Sequence, residues 1–341
     1  MVPNLGTTRR VPLPVPDDDT SKSATLLRSR VPTVLDLFAG CGGFSLGLKW
    51  ARLDVKRAVE NFRPVAASYA ENFPGVDLTV EDIQKVVVRD PFDVVVGGPP
   101  CEPYTSASTK READPLDRLY KNKIGGLVLH FVRIVADVKP KAFVMENVMQ
   151  VAEGPLRQAL IDEFAKAGYP TIHFNELFAE NQGTPSHRRR LFISNLALKP
   201  PKYEGKKLTV EKALANLPPP GQGTLPNHLA HPLTADKLAR IRNLPQGRSL
   251  YSYRSGTGKL HGNWWRLRPD ELAPTVTGHA RFVHPTEDRL LTVREHARLM
   301  GFPDDFLLRG GRNIQYDVIG EAVPPPLAKA IGLEVLRQLP A

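Results

Sequence analysis

"TVLDLFAGCGGFSLGLKW", residues 33–50, decides how the chain is read. A short, almost wholly apolar run ends in Gly40. A glycine-rich turn follows, and then a segment with helical spacing. An apolar run of this kind suits a strand covered on both faces, and strand, glycine turn and helix in succession open a β-α-β unit. Gly40, Gly42 and Gly43 allow the backbone to approach a ligand closely at the carboxyl end of that strand. Their spacing is not the Gly-x-Gly-x-x-Gly of a dinucleotide site, and no Lys-Ser/Thr follows to make a phosphate loop.

The same alternation continues outward. "VKRAVEN" (55–61) predicts a strand, "RPVAASYAENFP" (63–74) a helix, "DLTVEDI" (77–83) a strand end, and "FDVVVGGPP" (92–100) a buried strand. Helix "GGLVLHFVRIVADVKP" (125–140), strand "KAFVMENV" (141–148) and helix "PLRQALIDEFAKAGY" (155–169) come next. Strands "TIHFNELFA" (171–179) and "RRLFISNL" (189–196) complete the set. Strands alternating with helices predict an α/β fold, a doubly wound and mostly parallel Rossmann-like sheet.

After residue 195 the composition turns to Pro, Gly and basic residues and periodicity fades, which predicts a second, smaller and irregular domain over 196–304. Helical patterns return in "TVREHARLMGFP" (292–303) and in "GEAVPPPLAKAIGLEVLRQL" (320–339), so 305–341 is expected to rejoin the domain begun at 31–195. Residues 1–30, with prolines and mixed charge, read as a disordered or weakly ordered tail.

Two cysteines in 341 residues exclude a disulfide framework, and a reduced cytoplasmic setting is the default. No apolar run approaches membrane-spanning length, and there is no secretion-type leader. The net charge of +10 is localised. Residues 1–30 hold five Lys or Arg against three Asp, and 195–272 hold thirteen against five acids, which accounts for the whole excess. Positive charge gathered in this way suits a polyanion such as nucleic acid, or else a solvated basic surface.

Glu60 and Asp82 are expected at successive strand ends, where they suit the hydroxyls of a ribose and the amino edge of an adenine. S-adenosylmethionine is a nucleoside cofactor without phosphates and fits that description. Cys101 follows Pro99-Pro100 and precedes Pro103, so its loop is stiff and its thiol is held at a strand end. A structural cysteine more often lies within an apolar element, and a rigid strand-end cysteine is better placed to attack. Arg188 and Arg190 alternate onto one face of a strand and are candidates to favour its thiolate. Glu146 ends the neighbouring strand, as a candidate acid or as a solvated carboxylate. Two cysteines without paired histidines give no recognisable metal site.

Taken together and in this order, "DLFAGCGGFSLGL", "PPCEPYT", "ENV", "TPSHRRRLFI", "TVREHARLMGFPDDF" and "IGEAVPPPLAKAI" resemble the motifs of the DNA cytosine-C5 methyltransferases. The resemblance covers nearly all the chain beyond residue 30 except 196–272. It implies transfer of a methyl group from S-adenosylmethionine to C5 of a flipped-out cytosine in duplex DNA, leaving S-adenosylhomocysteine. It further implies Cys101 as nucleophile on C6, Glu146 on N3 and the amino group, Arg188 on the nucleotide and the catalytic loop, and Arg190 in support. Phe38, Ala39, Gly40, Cys41, Gly42, Gly43, Glu60, Asn61, Phe62, Asp82, Ile83, Pro100 and Leu127 would line the cofactor site, with Glu321, Ala322 and Val323 closing it. Residues 102–126 would be a mobile lid over the base.

By the same resemblance 196–272 chooses the DNA sequence and 289–304 braces the small domain. Arg254, Lys259 and Arg266 are the candidate DNA contacts, while Trp264-Trp265 read as core. A monomer suffices for one base, acting on double-stranded DNA at the nucleoid, with a cognate restriction enzyme as a potential partner. Four departures stand out: Glu102 where the family has Gln, Tyr104-Thr105 for Phe-Ser, Ser186 for Gln, and Glu321 for Asn. An acid at Glu321 could attract the positive amino end of the cofactor. The competing expectations are an RNA methyltransferase of the same fold, a non-catalytic nucleic-acid-binding protein, and a nicotinamide-dependent oxidoreductase, which the glycine spacing disfavours.

Overall fold

The computed structural model describes residues 30–106, 108, 111–254, 258 and 260–340. The tail expected over 1–30 falls outside these except for Arg30. The first half runs β1 (Thr33–Leu37), α1 (Gly43–Trp50), β2 (Asp54–Val59), α2 (Arg63–Asn72), β3 (Asp77–Thr79) and β4 (Val94–Gly97). It continues with α3 (Pro115–Tyr120), α4 (Leu127–Val138), β5 (Ala142–Asn147), α5 (Pro155–Lys166), β6 (His173–Phe178) and β7 (Arg189–Ser194).

Among the described residues these seven strands form one sheet in the order β3-β2-β1-β4-β5-β7-β6. All pairings are parallel except those of β7, which runs antiparallel to β5 and β6. The continuous apolar runs follow from two-sided burial. Leu35, Leu37, Val95 and Phe143 face α4 and α5, where Phe143 stacks on Phe164 at 4.5 Å. Val34, Val94, Val96 and Val144 face the opposite layer with Phe44 and Leu48 of α1. The chain reverses strand order between β1 and β4, so the loops after β1, β2, β4 and β5 leave the sheet at the same carboxyl edge, the side on which open parallel sheets form a ligand crevice.

The second half contains α6 (Val210–Leu214), α7 (Ala235–Arg242), β8 (Ser249–Arg254), β9 (Leu260–Arg266) and β10 (Phe282–Val283). It closes with α8 (Val293–Leu299), α9 (Arg312–Glu321) and α10 (Pro325–Gln338). This region is more regular than its composition suggested: β8, β9 and β10 make a second sheet, with β8–β9 antiparallel and β9–β10 parallel. Trp264 and Trp265 are half-buried in the apolar clusters around it.

Helix α8 begins at a capping box between Thr292 and Glu295, the S/T-x-x-E pattern of a helix start. Its arginines tie distant segments together. Arg294 donates to the carbonyls of Pro226, Pro303 and Phe306, and Arg298 to those of Ala213 and Ala215 while pairing with Asp304. Helix α10 then returns to the main sheet against α1. The contact is close because Gly47 has no side chain: a Cβ there would lie 2.4 Å from the Ala328 Cβ. No helix among the described residues is long and apolar enough to cross a membrane.

Candidate active site

The glycine turn after β1 is built as its sequence required. Gly40 and Gly42 take positive φ of 58° and 97°. Phe38 also has positive φ, 55°, a conformation uncommon outside glycine and more frequent at functional turns. A Cβ placed on Gly40 would meet nothing within 4 Å, so this turn borders open space. Glu60 follows β2 directly, and its carboxylate accepts from Gly40 N at 3.0 Å and Phe62 N at 2.8 Å. Burial pushes the Glu60 carboxyl up, against these hydrogen bonds. Asn61 is exposed, and the Phe62 ring is half-exposed beside it.

Other expected lining residues sit less simply. Strand β3 ends at Thr79, so Asp82 lies in the turn beyond it, where its carboxylate accepts from Gln84 N at 3.0 Å. Ile83 is buried, while Pro100 and Leu127 are partly buried. Ala39 and Cys41 are buried. The Cys41 thiol is turned to the carbonyl of Val318, 4.0 Å away, and burial pushes it up to about 12, so only its main chain can serve the cleft. From the other side, Ala322 and Val323 close over the turn: a Cβ on Gly43 would lie 2.4 Å from the Val323 carbonyl oxygen.

Sequence reading missed the support beneath this turn. Asp36 in β1 is buried and accepts from Ser45 Oγ of α1 at 2.6 Å, and Ser45 Oγ lies 2.7 Å from the Tyr69 hydroxyl of α2. Burial pushes the Asp36 carboxyl up to about 7, with the Ser45 hydrogen bonds opposing and Glu60 adding to the rise. A polar residue inside the apolar run of β1 was the available signal.

Cys101 follows β4 on its proline-bounded loop, half-buried. The loop is pinned by Asn147, whose side-chain amide donates to the Pro99 carbonyl at 3.0 Å. Burial pushes the Cys101 thiol up and Glu146 adds to the rise. Arg190 and Arg188 pull it back, and Glu321 pushes slightly upward. Glu102 is exposed. Glu146, buried at the end of β5, pairs with Arg190 through Nε to Oε1 at 3.1 Å.

Arg188 is placed differently from expectation. It is fully buried, and its guanidinium donates to the carbonyls of Val276 (2.9 Å), Gly320 (2.8 Å) and Glu321 (3.3 Å). Burial holds it down at about 9, with Arg190 adding, so it stays protonated at neutral pH. In this structure it fastens the start of the closing loop, and Arg190 is the arginine beside Glu146. Ser186, in place of Gln, donates to the Leu299 carbonyl at 2.7 Å and so joins this segment to α8.

The segment expected as a lid has more structure than a polar loop. It contains α3, whose N-cap Asp114 accepts from Leu116 N, and its two ends are joined by the buried Tyr104 hydroxyl donating to Gly125 O at 2.9 Å. The hydroxyl that distinguishes Tyr104 from Phe thus has a specific partner.

Of the three expected DNA contacts, Arg254 is exposed at the end of β8, opposite Leu260. Lys259 lies outside the described residues. Arg266 is buried, donating to the carbonyls of Ile241, His284 and Glu287 and pairing with Asp288 at 2.8 Å. It is a brace of the small sheet, and burial removes it as a DNA contact. No group of three or more potential metal ligands occurs among the described residues.

The donor set at the cleft suits a nucleoside cofactor. An exposed Phe62 ring offers a face to a flat base, Glu60 retains free lone pairs for hydroxyls, and the open space at Gly40 admits a ligand against the main chain. The chain is also similar to known proteins. A family model described as C-5 cytosine-specific DNA methylase matches residues 32–337. A protein of Methanocaldococcus jannaschii named as a type II methyltransferase is 44% identical over 318 residues, covering 90% of this chain and 99% of its own. The type II methyltransferase M.DdeI of Desulfomicrobium norvegicum is 30% identical, covering 87% of both. In fold, the chain matches a DNA modification methyltransferase from an Escherichia coli prophage with a TM-score of 0.71 at 24% identity, covering 90% of this chain and 99% of that one. It matches a DNMT2 of Spodoptera frugiperda at 0.58 and 17%, with the same coverage.

Proposed function

The chain belongs to the C-5 cytosine-specific DNA methylases and is a DNA (cytosine-5) methyltransferase, and from that premise we propose how its residues carry the reaction. The observation that supports the reading best is the meeting of Cys101, on its stiff strand-end loop, with the Glu146–Arg190 pair across the cleft from the glycine turn.

The target cytosine leaves the DNA stack, at a cost of about a few kcal/mol, because neither its C5 nor its C6 can be reached within it. The Cys101 thiolate attacks C6, and the C5–C6 π electrons move onto C5, making it nucleophilic. Glu146, once it has taken up a proton from solvent, gives that proton or a strong hydrogen bond to N3 and so takes up the charge that develops in the ring, and it recovers the proton when the ring is released. S-adenosylmethionine, when bound, supplies the electrophilic methyl group. The C5 proton then passes to water, the C6–S bond breaks, and Cys101 leaves as thiolate. Arg190 holds the Glu146 carboxyl group in place and steadies the thiolate before attack and after release.

For the cofactor, Glu60 would take the ribose hydroxyls, Phe62 and Ile83 the adenine faces, Asp82 its amino edge, and Phe38, Ala39, Gly40, Gly42 and Gly43 the main-chain side. Residues 196–272 would read the DNA, with the exposed tip of the β8–β9 ribbon, Ser252, Tyr253, Arg254 and Leu260, entering a groove wide enough for two strands. The type II names of the relatives support a cognate restriction enzyme acting at the same sequence.

The test is a duplex in which the target cytosine carries fluorine at C5. Fluorine cannot leave as a proton does, so the Cys101–C6 bond should persist after methyl transfer and survive denaturation. An adduct mapped to Cys101 and absent in Cys101→Ser is expected. Methylation without any trapped adduct would overturn the covalent route.

A further inference from the structure

Tyr104 stands three residues after Cys101, where the family has Phe. Its main chain and its side chain hold different segments. Tyr104 N and Thr105 N both donate to the Cys101 carbonyl at 2.9 Å, so residues 101–105 form one tight turn. The ring is fully buried in the apolar layer that contains Leu119 of α3 and Val128 and Phe131 of α4. Its hydroxyl donates to the Gly125 carbonyl at 2.9 Å, 21 positions along the chain.

That carbonyl is itself well fixed. It also accepts from Val128 N in the first turn of α4, and Asn122 Oδ1 accepts from Ile124 N and Gly125 N, each at 2.9 Å. The main chain at Gly125 packs directly on α3, since a Cβ there would lie 1.9 Å from the Arg118 carbonyl oxygen. On the other side of the cysteine, Asn147 of β5 donates to the Pro99 carbonyl. The Cys101 loop is thus held from both sides, by β5 before the cysteine and by the start of α4 after it. Phenylalanine would fill the same space and leave out the second hold.

We propose that the Tyr104 hydroxyl is a positioning group for methyl transfer: by tying the Cys101 turn to the start of α4, it fixes where the thiolate stands before attack. This rests on the reading of Cys101 as the nucleophile. Reacting atoms must start about 3–3.5 Å apart with their orbitals aligned, and a misplacement of about 1 Å can cost about 100-fold in rate. Helix α4 begins at Leu127, an expected lining residue of the cofactor site, so the same bond keeps the nucleophile in register with that side of the cleft. Tyr104 is fully buried, so it acts through Cys101 and not on the base.

Tyr104→Phe removes the hydroxyl and keeps the ring, and it installs the family's usual residue, so the variant should fold. Tyr169→Phe is the matched control. Tyr169 also donates its hydroxyl to a carbonyl, Pro140 O at 2.7 Å, and packs against the same apolar layer, but at the amino edge of β5, away from Cys101. Single-turnover methyl transfer to mixed-sequence duplex DNA, saturating in DNA and S-adenosylmethionine, should fall about tenfold in Y104F and less than about twofold in Y169F. Affinities for both ligands should stay within about twofold of wild type in each variant. Alkylation of Cys101 by iodoacetamide in the free protein should become faster, by about threefold, in Y104F alone, as the loosened loop exposes the half-buried thiol. A Y104F rate equal to wild type, equal losses in the two variants, unchanged alkylation, or a loss confined to affinity would overturn the proposal. Methylation of DNA by Cys101→Ser would remove the nucleophile reading itself, whereas an inactive C101S beside a fully active Y104F would remove only the role of Tyr104.

Discussion

Arg190 Nε lies 3.1 Å from Glu146 Oε1, although the two residues are 44 positions apart in the sequence. The sheet brings them together. Strands β5 and β7 pair antiparallel with Glu146 opposite Phe192, so Arg190 is a diagonal neighbour on the same face. The one antiparallel strand in an otherwise parallel run is thus what presents an arginine to the acid beside Cys101.

Replacing Glu146 by Gln keeps the volume and removes the acid. Gln cannot donate a proton to N3, and it leaves Arg190 without a counter-charge. Single-turnover methyl transfer should fall by about 10²–10⁴-fold, the usual range for a lost general acid. Affinity for S-adenosylmethionine, measured separately by calorimetry, should hold. A loss under tenfold would remove Glu146 from the chemical step.

Cys101 must be a thiolate to attack, and burial and Glu146 hold its thiol above the ordinary range while Arg190 and Arg188 oppose them. The thiolate fraction therefore grows as pH rises through neutrality and beyond. Single-turnover rates should rise with pH over that range, and alkylation of Cys101 by iodoacetamide should follow the same curve. Arg190→Ala removes the larger of the two opposing charges, so both curves should move to higher pH. A curve that stays in place or moves lower would show that Arg190 does not act on the thiol.

Gly98 and Gly320 separate two kinds of crowding. A Cβ on Gly98 would lie 3.3 Å from Glu146 Oε2, a side-chain atom that can give by a few tenths of an ångström. Gly98→Ala should cost activity, about tenfold, with stability changed by under about 1 kcal/mol. On Gly320 the Cβ would meet the main chain of Thr277 and Gly278. Gly320→Ala should destabilise by about 1–3 kcal/mol, the range for overpacking, seen as a lower midpoint in denaturant.

The sheet and most of its helices were legible because two-sided burial leaves long apolar runs, as in Val94–Val96, and the ends of β1 and β4 were marked by Gly or Pro. Cys101, Glu146 and Arg190 were legible for the same reason: each stands next to such a run. Long-range partners were not legible. Nothing in the neighbourhood of Arg188 announces that carbonyls 88 to 133 residues away will engage its two terminal nitrogens, or that Arg266 will turn inward to Asp288. Helices α3, α7 and α9 span only six to ten residues and are mostly polar, so their few apolar positions were lost among polar neighbours. The cap on α8 was the exception in that region, since Thr292 and Glu295 sit at the spacing that defines it.

Asp36 gives the last prediction, on stability. Its carboxyl is pushed from an ordinary 3.8 up to about 7 by burial, so the folded protein holds a proton that the unfolded chain releases near pH 4. Between about pH 4 and 7 the folded state binds more protons than the unfolded one, and stability falls as pH rises across that window. Above pH 7 the full penalty stands, up to about 4 kcal/mol from this group alone. Asp36→Asn cannot ionise, yet its side-chain oxygen can still accept from Ser45, which lies 2.6 Å away in the wild type. Denaturant unfolding of both proteins from pH 5 to 8 isolates the effect, because other titrating groups contribute equally to each and cancel in the difference. The variant should lose less stability than wild type as pH rises, and the gap should stop widening above about pH 7. Parallel curves would mean that the Asp36 carboxyl is ionised in the folded protein throughout, and that its contacts with Ser45 and the Ser45–Tyr69 pair offset its burial.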